Sequence, residues 1–182
     1  MKKIFLLLGS LATLAATGCG SNSADASDAN VLVNNDFETL AGWLPEAQSA
    51  TLSQDKAHSG RYALKVDATH EYSMGFKAPL GQLHNTRIQK IKVSAWAFVP
   101  TADESASLVV TVGNPNPAND KPLLWEALEL KANNQVGKWV EISKVITIPN
   151  DVSPSSPLGI YLWRTGGSQA VYLDDLRVSL QP

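Results

Sequence analysis

Ile91-Lys92-Val93-Ser94-Ala95-Trp96-Ala97-Phe98-Val99 alternates without a break. Every odd position carries a small or branched apolar side chain. A period of two belongs to a β-strand with one buried face, since successive side chains leave on opposite sides. The odd positions are therefore expected to face a core. Trp96 and Phe98 then point the other way. Similar short runs recur at 50–52, 62–66, 73–76, 107–112, 124–130, 139–148, 158–163 and 171–180. Turn residues separate them: His58-Ser59-Gly60, Asn114-Pro115-Asn116-Pro117, Asn133-Asn134, Pro149-Asn150-Asp151 and Gly166-Gly167. No segment keeps a 3.6-residue apolar period long enough for a major helix. The expected fold is all-β, a two-sheet antiparallel β-sandwich of jelly-roll type.

Composition narrows the function. The chain has 182 residues, 44% hydrophobic and 18% charged, with a formal charge of −2. That is an ordinary globular composition of about one domain. No net basic charge speaks for nucleic acid. One cysteine excludes an intrachain disulfide and multi-cysteine metal sites. Three scattered histidines leave little for a transition-metal cluster.

Residues 1–18 read as an address. Lys2 and Lys3 precede apolar runs at 4–8 and 11–16, too short for a stop-transfer helix. Ala16-Thr17-Gly18-Cys19 resembles the bacterial lipobox, which implies cleavage before Cys19 and acylation of its thiol. Several acyl chains anchor where one does not. Gly20 in place of Asp points, by the same resemblance, to the outer membrane of a bacterial envelope, with the face left open. Residues 19–30 are small and polar and form a flexible tether. The binding module is expected at 31–182.

The alternation also sorts the aromatic residues. Leu128 and Leu130 are expected inside, so Trp125, Ala127 and Glu129 lie outside. Ile160 and Leu162 are expected inside, so Tyr161 and Trp163 lie outside. With Trp96, three strands offer large rings on a face that a soluble sheet makes polar. Such a patch marks a binding surface. The alternatives are a covering loop or a one-residue slip of register, which inverts the faces. Glu129, Arg164 and Gln82 could supply polar anchors beside the rings. Tyr72 and Phe76 could line the same groove or cap the core.

Four segments resemble one family. Val33-Asn34-Asn35-Asp36-Phe37-Glu38 followed by Gly42-Trp43, Ala57-His58-Ser59-Gly60-Arg61-Tyr62-Ala63-Leu64-Lys65-Val66, Gly137-Lys138-Trp139-Val140-Glu141-Ile142 and Val171-Tyr172-Leu173-Asp174-Asp175-Leu176-Arg177-Val178 are similar to motifs of carbohydrate-binding modules of families four, nine and twenty-two. The resemblance implies a galactose-binding-like jelly roll and a poly- or oligosaccharide ligand. It makes Trp43 and Trp139 packing residues, leaving Trp125 and Trp163 for the sugar. Indole stacks on the apolar face of a sugar ring, and hydroxyls need polar groups around it. Such modules usually accompany an enzyme, so a partner glycoside hydrolase or another envelope protein is implied as well.

The resemblance further implies a structural calcium ion. Its ligands would be a carbonyl near Asp36, the Glu38 carboxylate, a carbonyl near Ser59, and Asp174. Simple alternation puts Asp174 inside with Leu176 and Val178, where a carboxylate is costly unless bonded or metal-bound. Backbone amides or Arg61 are the alternative partners. Asp175 is expected outside. Adjacent carboxylates on opposite faces cannot act together across a glycosidic bond. The chain also lacks G-x-S-x-G, H-E-x-x-H and phosphate-loop patterns. A non-catalytic, lipid-anchored module is therefore expected. The rival is a structural or adhesion lipoprotein that binds a protein partner through a flat apolar patch.

Overall fold

The computed structural model describes residues 30–40, 43–44, 50–116, 118–131 and 135–182. The signal segment, Cys19, residues 20–29 of the tether, Gly42 and the Asn133-Asn134 turn lie outside them. Eleven strands are described: β1 (Val31–Asn35), β2 (Trp43–Leu44), β3 (Leu52–Ser53), β4 (Ala63–Val66), β5 (Tyr72–Pro79), β6 (Lys90–Phe98), β7 (Ser105–Val112), β8 (Leu124–Glu129), β9 (Trp139–Thr147), β10 (Pro157–Gly166) and β11 (Val171–Leu180). One helix turn, α1 (Leu80–Leu83), follows β5. The first sheet has the order β3-β4-β11-β6-β9, with β1 also paired to β11. The second has the order β2-β5-β10-β7-β8. This is the two-sheet antiparallel sandwich expected from the alternation.

The core lies where β6 predicted it. Ile91, Val93, Ala95, Ala97 and Val99 are each at most 2% exposed. They belong to one apolar cluster with Leu108, Val110 and Val112 of β7 and Leu158, Ile160 and Leu162 of β10. Each buried Val, Leu or Ile stabilises the fold by about 1.5–3 kcal/mol. Trp43 is buried on Phe37 and Phe76, ring centroids 5.1 and 6.1 Å away, as its packing role requires. At one open side, Lys144 of β9 reaches Glu126 of β8 at 2.7 Å and ties the sheets together.

One expectation fails at β11. The β11–β6 register shifts between Asp174 and Arg177, and Asp175 has φ 48°. A β-bulge inserts one residue and resets the alternation. Leu173 and Leu176 both face the core, while Asp174 sits opposite Trp96 on the outer side. Asp174 does not share a face with Leu176. It is nonetheless 0% exposed, because the segment joining β3 to β4 lies over it. The bulge also divides one side of β11 between two short strands. β4 takes 171–173 and β1 takes 176–179.

Candidate functional site

Register fixes what the outer face of the second sheet displays. Cross-strand pairing sets Lys77, Gly159, Thr111 and Trp125 in one row. Gly75, Tyr161, Val109 and Ala127 form the next. Tyr72, Trp163, Ser107 and Glu129 form a third. Side chains of one row are neighbours at about 4.5–5.5 Å between Cβ atoms, and diagonal rings also meet.

The rings form one connected group. Tyr72 and Trp163 lie parallel within 7°, centroids 6.3 Å apart. Tyr161 meets Tyr72 edge-on at 6.0 Å, and Trp125 meets Trp163 edge-on at 6.2 Å. Trp125 is 49% exposed and Tyr72 47%. Trp163 is half-buried, and its Nε1 donates to Glu71 at 3.1 Å. That bond holds the indole in one orientation. Val109 has the parity of the outer face yet is fully buried. Tyr161 and Ala127 flank it in its own row.

Beside the rings runs an open groove of about 780 Å³. Tyr72, Tyr161 and Trp125 wall it, and Gly75 and Gly159 form its floor. A Cβ on Gly159 would stand 2.5 Å from Thr111 Oγ1, so glycine keeps the floor low. Lys77, Thr111 and Asp120 supply charge and hydrogen-bonding capacity. Asp120 arrives on the connection between β7 and β8. Hydrogen bonds Gly113 N to Pro157 O and Leu123 N to Val112 O, both 2.8 Å, hold the ends of that connection. On the far side of Trp163 lies a second hollow of about 430 Å³, lined by Ser105, Ser107, Glu129, Lys131, Trp163 and Thr165. An apolar wall with a few polar groups is how ligand clefts combine affinity with orientation.

The expected site residues divide. Trp125 and Tyr161 line the groove, and Trp163 and Glu129 line the hollow. Tyr72 joins the groove, and Phe76 borders it as well while packing into the core. Trp96 belongs elsewhere. It is on β6, in the other sheet, where His58 lies flat on it at 3.9 Å. Alternation says which residues share a face of a strand but not which sheet the strand joins. Arg164 pairs opposite the buried Ala106, and its guanidinium donates to the Gly167 carbonyl. It lines neither cavity, because its parity is that of Leu162. Gln82 is exposed on α1 and lines neither. Lys77, Thr111 and Asp120 were missed. Lys77 and Thr111 share the outer parity of Gly159, a signal that cross-strand register turns into contact.

The four positions implied for calcium gather around the His58–Tyr62 segment in part. Asp174 Oδ2 accepts from His58 N at 2.7 Å and Ser59 N at 3.1 Å, and Oδ1 accepts from Asp175 N at 2.7 Å. Burial raises the Asp174 carboxyl above its ordinary range, against the opposing pull of these amides. Glu38 Oε1 accepts from Arg61 N at 2.6 Å and Tyr62 N at 2.8 Å, which lowers its carboxyl. Asp36 is exposed and caps Glu38 N at 3.1 Å. Calcium needs converging oxygens, whereas these carboxylates face N–H donors. Among the described residues no three His, Cys, Asp or Glu side chains form a metal-holding group. The amide contacts account for Asp174 without a cation. Asp175 turns away from the core, as expected, and meets the same segment lying over the outer side. Its carboxylate meets His58 Nδ1 at 2.5 Å and Ser59 Oγ at 2.6 Å.

Residues 29–165 match a family model described as a carbohydrate binding domain. No curated relative matches the chain. Among solved structures, the CBM22-1 xylan-binding domain of Paenibacillus barcinonensis Xyn10C is 19% identical, with a TM-score of 0.53 over 83% of this chain and 94% of that one. The CBM22-2 domain of the same protein is 17% identical, with a TM-score of 0.56 over 82% and 99%. The CBM22-1 and GH10 modules of a Clostridium thermocellum xylanase, complexed with xylohexaose, are 15% identical, with a TM-score of 0.57. This chain covers 29% of that longer structure, and 84% of its own length is matched. At such identities the likeness is one of fold.

Proposed function

The chain belongs to the carbohydrate-binding-domain family, and we propose that it holds a polysaccharide of xylan type, without chemistry of its own, in the groove on its second sheet. The observation that carries this is the ring group Tyr72, Tyr161, Trp163 and Trp125, left open beside a groove with polar residues at its edge. Sugar rings present C–H faces to indole and phenol. Their hydroxyls then find Lys77, Thr111 and Asp120. Cleft shape and mixed polarity favour a sugar over a protein partner, for which a flat apolar patch is the expected counterpart. The ligands of the two solved xylan-binding domains supply the substrate class to test first.

The 1–18 signal and the Cys19 motif support a further part of the proposal. The module is tethered by an acylated Cys19 to the bacterial envelope, most simply the outer membrane, where it retains glycan beside a partner hydrolase. Intact mass of the membrane fraction should show acyl chains on Cys19, absent from Cys19→Ala. Retention of the purified chain by insoluble xylan tests the ligand. Elution with the void, as on a matrix without sugar, would reject it.

A further inference from the structure

Away from the ring face, α1 and the segment 84–88 pack against residues 152–154 and enclose a cavity of about 290 Å³. Backbone bonds hold its two walls together. Gly81 N donates to Pro154 O at 2.8 Å, and Leu80 N to Ser156 O at 3.0 Å. Leu80 and Ile88 are buried and form an apolar base, continued by Val152 and Pro154. At the rim, Arg87 Nη2 donates to Asn150 Oδ1 at 2.5 Å, which pins the guanidinium and leaves its other N–H groups for a ligand. His84 Nδ1 lies 3.0–3.3 Å from the hydroxyl, carbonyl and amide of Thr86, which fixes the ring at the rim beside Arg87.

No Asp or Glu side chain lines the cavity. A neighbouring hollow shares His84 and Arg87 and adds Lys90, with Gln181 and Pro182 on its opposite wall. Donors and positive charge at the rim, an apolar base and a volume near the roughly 300 Å³ lower end of ligand pockets define one kind of guest. We propose that this cavity binds a single carboxylate-bearing sugar ring, of the size of one uronic acid. Its carboxylate meets Arg87, with the His84 ring beside it, and its C–H face rests on Leu80, Ile88, Val152 and Pro154. A planar guanidinium grips a carboxylate with two parallel N–H bonds. The cavity lies beyond the Pro79 and Pro157 ends of β5 and β10, so it is separate from the groove and independent of what the groove holds.

The test is a titration of the full chain with glucuronate, followed by amide NMR, with glucose and acetate as parallel arms. Glucuronate should move the amides of 81–88 and 152–153, and glucose and acetate should each bind at least about tenfold more weakly. Arg87→Ala should lose about tenfold in glucuronate affinity. Arg87→Gln, which preserves a donor toward Asn150, should lose as much while the rest of the spectrum stays in place. Absence of shifts in these two segments would overturn the proposal. So would acetate binding as well as glucuronate, or both variants binding like the native chain.

Discussion

His58 lies flat on Trp96, their planes 11° apart and centroids 3.9 Å. The same histidine meets Asp175 through Nδ1 and donates its amide to Asp174. Lys56 covers the neighbouring Phe98 ring at 4.2 Å. One short loop therefore covers the Trp96 and Phe98 end of the outer face of the first sheet, while the rings on the outer face of the second stay open. His58→Ala should destabilise the fold by about 1–2 kcal/mol, from lost ring packing and one lost hydrogen bond. It should leave xylan retention unchanged. Thermal melting and a retention assay on one preparation check both halves.

Asp174→Ala strips an acceptor from three backbone amides. Leaving buried donors unpaired costs about 1–3 kcal/mol each at full burial. A loss of roughly 3 kcal/mol is expected, read from urea unfolding at constant m. Asp174→Asn keeps one acceptor oxygen and should fall between the two.

Two carboxylates should bend the pH dependence of stability in opposite directions. Burial alone would raise Asp67, but hydrogen bonds from Thr69 and His70 outweigh it and hold it down to about 2 from 3.8. Its native form prefers to be charged, so its contribution is full above pH 3.8 and fades as pH falls toward 2. Asp174 is raised by burial, so its contribution falls as pH climbs from 3.8 through its higher native value. Asp67→Asn should remove about 1–2 kcal/mol of the stability change between pH 4 and 2, measured by urea midpoints across that range.

The strands that carry the core were legible because β6 and β10 alternate cleanly and their small or branched residues have nowhere else to go. Nine of the strands lie on or overlap the runs that alternation marks. β1 and β2 were not legible as strands. β1 gains its identity only from partners on β11, and β2 has two residues. Trp125, Tyr161 and Trp163 were readable as outward rings from parity alone. The Asp174 face was not, because a bulge at Asp175 adds a residue that no local pattern announces. Trp96 was sorted to the correct side of its strand and to the wrong sheet, since sheet membership is decided by pairing across the chain. Asp120 was out of reach for the same reason, being delivered by a loop.

Groove depth offers an independent handle. Gly159→Val should raise the floor beneath Tyr161 and push against Thr111, weakening xylan retention by about tenfold, or about 1.4 kcal/mol. Gly113→Val clashes instead with Pro157 at the base of the loop carrying Asp120 and should cost stability. Isothermal titration with xylo-oligosaccharides, paired with melting curves, separates the two effects.

The most direct measurement is affinity electrophoresis in xylan of the native chain, Trp125→Ala, Trp163→Ala and Trp96→Phe, each with its melting temperature. Each of the two alanine variants should lose about tenfold or more in affinity while melting within a few degrees of the native chain. Trp96→Phe should bind as the native chain does. Equal retardation of all four proteins, or a loss confined to Trp96→Phe, would contradict binding on the open face of the second sheet.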